Sequence, residues 1–139
     1  MNSRIKVTPT NITDLRPWEI FVFGSNLAGK HGGGAALTAL KRFGAIMGHS
    51  VGFQGQSYAL PTKDVNLRTL PISEIRSHVA LLRVTATKNE DEIFLITAVG
   101  CGLAGYTPSD IAPLFRDFLN LPNVSLPSEF IAILQPSEL

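Results

Sequence analysis

The chain has 139 residues, 45% hydrophobic and 17% charged, enough apolar content for one compact domain over residues 1–139. Twelve Lys and Arg against 11 Asp and Glu leave a net charge of +1, which argues against wrapping by nucleic acid or adhesion to anionic lipid. The chain shows no signal-peptide order of basic, apolar and small residues and no apolar run of bilayer length, and its single Cys101 allows neither an internal disulfide nor a thiolate cluster. The expectation is a soluble cytoplasmic protein with a small-molecule partner, no cofactor and no metal.

Ile5-Lys6-Val7 alternates as a short strand does, and residues 8–17 are rich in turn formers. The apolar run Ile20-Phe21-Val22-Phe23 predicts a buried strand. It leads into Gly24-Ser25-Asn26-Leu27-Ala28-Gly29-Lys30-His31-Gly32-Gly33-Gly34, five glycines in eleven positions. Residues 35–43 then read as a helix with Ala36, Leu40 and Phe43 on one face, and Gly44 stands where a C-cap would. A glycine-rich loop between a strand and a helix N-terminus suits an anion, because the backbone N–H groups turn inward and a ligand approaches the chain itself.

Residues 45–55 show little periodicity, and residues 56–60 predict a short strand that Pro61 closes. Ile72, Ile75, Val79 and Leu82 fall at helical spacing, with Pro71 suited to the first turn. After the charged run 88–92, residues 93–99 form an apolar stretch without alternation, as in a strand covered on both faces. A second glycine loop follows, Gly100-Cys101-Gly102-Leu103-Ala104-Gly105-Tyr106. Thr107-Pro108-Ser109-Asp110 carries helix-start signals, and Ile111, Leu114, Phe115 and Phe118 mark that helix's buried side. Pro122 and Pro127 punctuate a link to residues 130–134, predicted as a final strand. Strands alternating with helices imply an α/β fold, a mostly parallel sheet with helices on both faces.

Each glycine loop nearly matches a known nucleotide motif. Gly24 to Lys30 is G-x-x-x-x-G-K, but His31 stands where a P-loop needs a magnesium-ligating Ser or Thr. Gly100 to Gly105 is G-x-G-x-x-G, but residues 130–135 offer no acid for a ribose. The pair is more specific than either half. Two such loops at the ends of two strands of one open sheet converge on one crevice and clamp a diphosphate from both sides.

At these residues the sequence resembles the macro domain superfamily of ADP-ribose-binding modules. Phe21-Val22-Phe23-Gly24-Ser25-Asn26 is similar to its apolar strand ending in asparagine. Residues 96–106, from Ile96 to Tyr106, resemble its second phosphate loop. Asn26, His31 and Gly32-Gly33-Gly34 stand at the spacing of viral macro domains, and loop 2 is also similar to the terminal ADP-ribose glycohydrolase branch. Asn11-Ile12-Thr13 resembles the family's Asp-Ile-Thr segment, which contacts adenine.

The resemblance covers residues 11–118 and implies a three-layer α/β sandwich with a mostly parallel or mixed sheet. It implies ligand contacts from Asn11, Ile12, Gly24, Ser25, Asn26, Gly32, Gly33, Gly34, Ala35, Gly100, Cys101, Gly102, Leu103, Ala104, Gly105 and Tyr106. The chain departs from the family at Asn11, where an aspartate is common, at Ala36, where many hydrolases of the superfamily carry an aspartate, and at Ala104, where the glycohydrolase branch has its acid.

Cleaving an ADP-ribosyl bond needs activated water and charge stabilisation. By resemblance to the viral branch, Asn26 binds the distal ribose and His31 orients or deprotonates water. Lys41 stands near the glycohydrolase branch's lysine. The alternative for His31 is an imidazole that braces backbone carbonyls. Cys101 at a helix N-terminus would have a lowered thiol pKa if exposed, but has no partner fixed by spacing. Tyr106 is read either as a stacking group or as a helix staple, His49 and His78 as surface or structural residues, and Asp64 as a turn acid.

Two functions stay open. One is binding of ADP-ribose or a close derivative with hydrolysis of mono-ADP-ribosyl groups or an ADP-ribose phosphomonoester. The other is a non-catalytic reader or sequestering module for ADP-ribosylated macromolecules or NAD-derived signals. Chemistry on a different nucleotide diphosphate is a third reading, because the loops recognise phosphate before they recognise adenine.

Overall fold

The computed structural model describes residues 5–136. Its frame is a six-stranded sheet formed by β1 (Lys6–Val7), β2 (Glu19–Asn26), β3 (Gly52–Gln54), β4 (Ser57–Lys63), β5 (Ile93–Ile96) and β6 (Val124–Leu126), in the order β1-β6-β5-β2-β4-β3. All pairings are parallel except β3 with β4.

The alternation of side chains along β2 sorts the core into two halves. Ile20 and Val22 point to a large cluster shared with Leu60, Phe94, Ile96, Phe115 and Phe130. Phe21 and Phe23 point the other way, to a smaller cluster with Ala36, Ala39 and Phe43. The small cluster lies under α1 (Gly34–Arg42), and the large one under α2 (Ile72–Lys88), α3 (Pro108–Ile111), a 3₁₀ segment (Ala112–Asn120) and α4 (Ser128–Leu134). The result is the three-layer α/β sandwich expected from the sequence.

Several elements differ from their sequence reading. Residues 130–134 are not a strand but the body of α4, because Phe130 and Leu134, four apart, are the buried pair and Pro127 sets the helix start. The last strand is β6, within the proline-punctuated link, buried at all three positions between β1 and β5. Pro61 does not close β4, which continues to Lys63. The register explains this: β3 pairs only with Ser57, Tyr58 and Ala59, so at Pro61 β4 has β2 alone as neighbour and a residue without an N–H is tolerated. Within residues 45–55 lies β3, and β5 stops at Ile96 rather than residue 99. The helix after Thr107 turns to 3₁₀ geometry from Ala112.

Candidate functional site

β2 is the branch point of the sheet: the chain leaving it builds β4 on one side, and β5 lies on the other. Such a switch point leaves a crevice beyond the C-terminal strand ends. Both glycine loops open here and, with the end of β4, enclose a cavity of about 590 Å³, within the ordinary range of small-ligand pockets.

Loop 1 begins on the last residues of β2, Gly24, Ser25 and Asn26, continues through Lys30, Gly32 and Gly33 and enters α1 at Gly34, Ala35 and Ala36, and all of these line the cavity. Loop 2, after β5, contributes Gly100, Cys101, Gly102, Leu103 and Ala104, preceded by Thr97, Ala98 and Val99. Thr62, Lys63 and Leu67 complete the wall. The sequence reading named as ligand contacts none of these three, nor Lys30, Ala36, Thr97, Ala98 and Val99. A signal for Lys63 was present, since Thr62 and Lys63 continue the strand once Pro61 is not taken as its end.

The electrostatics favour an anion. Among the described residues, two lysines and no carboxylate line the cavity. The N-terminus of α1 also opens on it: Gly33 is the N-cap, no side chain caps the helix and its first turn has no acid. The N–H groups of Gly34, Ala35 and Ala36 therefore lack intrahelical acceptors and add the positive end of the helix dipole.

Loop 1 is held from within and behind. The Asn26 side chain donates to the Lys30 carbonyl at 2.7 Å and accepts the Lys30 N–H at 3.0 Å, so its amide closes the turn 26–30. Gly29 has φ +72, and a Cβ there would sit 2.5 Å from the Gly48 carbonyl carbon. Ser25 Oγ donates to the Ser50 carbonyl at 2.7 Å. Segment 45–50 thus packs behind the loop.

His31 is fully buried behind the loop and is not among the cavity-lining residues. Its ring meets Phe23 edge-on at 5.3 Å between centroids, and its backbone N–H points at Met47 Sδ, 3.3 Å away. Nε2 lies 2.9 Å from the Ile46 carbonyl, which only accepts, so Nε2 carries the proton. Nδ1 is buried without a partner.

Other expected site residues stand apart from the cavity lining. Asn11 is exposed, and Ile12 packs against the cluster under α1. Lys41 is exposed on α1, and neither it nor Gly105 lines the cavity. Tyr106 donates its hydroxyl to the Leu70 carbonyl at 2.8 Å, and Thr69 Oγ1 donates to the Ala104 carbonyl at 2.6 Å, which fastens loop 2 to the segment after β4. Cys101 does line the cavity, but burial, with the Glu129 and Asp110 carboxylates adding to it, raises its thiol pKa to about 11. The lowering expected of an exposed thiol at a helix start is overridden, and at neutral pH the group is a thiol, not a thiolate. Among the described residues no three His, Cys, Asp or Glu side chains are grouped to hold a metal ion.

No protein-family model matches the chain, and no curated protein matches it in sequence. A likeness appears in three dimensions: the chain is similar to a solved macrodomain protein from Streptomyces coelicolor, with a TM-score of 0.56 over 89% of this chain and 96% of that one, at 16% identity. The fold is therefore the macrodomain fold. This chain's cavity lies where its two glycine loops meet.

Proposed function

We propose that the protein binds ADP-ribose or a close derivative, with the diphosphate between the two glycine loops. The observation that carries this reading is the convergence of both loops and the open α1 N-terminus on one cavity that has Lys30 and Lys63 but no carboxylate. The macrodomain fold and the Asn11-Ile12-Thr13 segment support an adenosine group on one side of that diphosphate.

Binding is favoured over hydrolysis. Among the described residues neither a carboxylate nor an imidazole lines the cavity, so water activation would fall to the substrate's own phosphate. Asn26 and His31 act on this reading through the shape of loop 1. The protein is then a reader or sequestering module for ADP-ribosyl groups, and turnover of a labelled mono-ADP-ribosyl substrate stays at background.

Calorimetric titration with ADP-ribose, ADP, AMP and NAD tests the reading. ADP-ribose is expected to bind more tightly than AMP, and Gly33→Val to abolish binding. Gly33 is extended and its Cβ position lies 3.7 Å from Leu103 Cδ1, an ordinary contact, so the variant folds while its side chain enters the cavity mouth. Failure of all four ligands to bind the wild-type protein would overturn the proposal.

A further inference from the structure

Leu67 combines three properties that folding alone does not account for. It has φ +63, the only positive φ at a non-glycine among the described residues, where a leucine is strained and glycine or asparagine is not. It is 45% exposed and packs against neither core cluster. It nevertheless lines the cavity.

The turn that holds it is rigid. Asp64 accepts the N–H groups of Asn66 and Arg68 on Oδ1 at 2.8 and 2.9 Å, and its own N–H donates to the Arg68 carbonyl at 2.7 Å. Leu103 lines the same cavity from loop 2, 80% exposed, with its Cδ1 3.7 Å from where a Cβ on Gly33 would stand. A strained backbone that presents an apolar side chain to a cavity instead of a core points to a ligand.

We propose that Leu67 is a specificity-determining residue that packs against the sugar carried on the outer phosphate. The inference rests on the reading that the loops hold the diphosphate of ADP-ribose. On that reading the adenosine lies by Asn11-Ile12-Thr13; Ile12 packs under α1, whereas the 64–69 turn leads from β4 into α2 on the opposite face of the sheet. A ligand strung across the loops therefore places its base and its terminal sugar on opposite sides, with the terminal sugar beside Leu67 and Lys63. Covering the sugar's apolar ring face removes Leu67 from water, which is the differential that separates ADP-ribose from ADP.

The test compares ADP-ribose with ADP on wild type, Leu67→Gly and Leu67→Asn. Both substitutions suit the positive φ, so each variant should unfold at a temperature equal to or above that of wild type. Each is expected to weaken ADP-ribose about ten-fold, the effect of losing one partly buried leucine side chain, and ADP less than about two-fold. Leu67→Met, which keeps the apolar surface, should restore most of the ratio. An unchanged ADP-ribose to ADP ratio in both folded variants, or a wild-type protein that binds the two equally, would overturn this inference while leaving the diphosphate site standing. If wild type binds neither, the proposed function itself fails.

Discussion

His31 shows how one residue's chemistry is set by where its ring ends up. With Nε2–H committed to the Ile46 carbonyl and the ring against Phe23, it joins loop 1 to the segment behind it. His31→Ala should cost about 2–4 kcal/mol in urea unfolding, from the cavity left and the orphaned carbonyl. His31→Gln, which can donate to Ile46, should recover part of that loss. Gly29→Ala meets both a positive φ and a backbone contact at Gly48 and should destabilise by more than about 2 kcal/mol. Cys101 gives a pH-dependent signature. With its pKa near 11, alkylation by iodoacetamide should be slow at pH 7 and still rising above pH 10, whereas in unfolding denaturant the midpoint should fall near 9. Because the folded state keeps this proton longer, the group's stabilising contribution is present below the unfolded pKa and is lost as pH rises through the folded one.

At the scale of elements, burial does most to hold that thiol protonated, and α4 and α3 add to it the charges of Glu129 and Asp110. Asp110 accepts the Thr107 N–H at 2.9 Å and its hydroxyl at 3.0 Å, closing the helix start right after loop 2. Asp110→Ala should cost about 1 kcal/mol in denaturant unfolding and shift the Cys101 alkylation profile to lower pH, since one of two nearby carboxylates is gone. A thiol profile that did not move would mean that burial and Glu129 set it without Asp110. Within β4, Pro61 marks where β3 has ended. Loop 2 is likewise exacting at its root. Gly100 has φ +78, and a Cβ there would touch Ile111 Cδ1 at 3.0 Å, so the strand-to-loop turn and the α3 core are fixed together.

For the whole molecule, the site joins parts that are distant in sequence. Loop 1, the end of β4 and loop 2 are tied by Leu27 N–H to the Lys63 carbonyl at 2.9 Å and by Thr69 Oγ1 to Ala104 at 2.6 Å. A ligand held by all three stabilises the native state as a unit. At a hundred-fold excess over Kd, ADP-ribose should add about 2.7 kcal/mol, a rise in Tm on the order of 10 °C by differential scanning calorimetry. Gly33→Val should show no such rise. Because both lysines act through charge, raising the salt concentration should weaken binding, which titrations at two ionic strengths would measure.

The layered fold and both loops were legible in the sequence because each rests on local chemistry. Unbroken apolar runs mark covered strands, helical spacing marks α1 and α2, and clustered glycines mark sites of close approach. Residues 130–134 were not legible, because five apolar residues in a row fit either period until the core chooses Phe130 and Leu134. Nor was β6, three residues whose strand identity comes from the partners on either side. The sequence by itself determined where the two glycine loops lie along the chain. Only the tertiary structure decided that Lys63 and Leu67 join them, that His31 faces inward and that Cys101 keeps its proton. Those outcomes depend on which distant segments pack against each group, and local pattern carries no information about such neighbours.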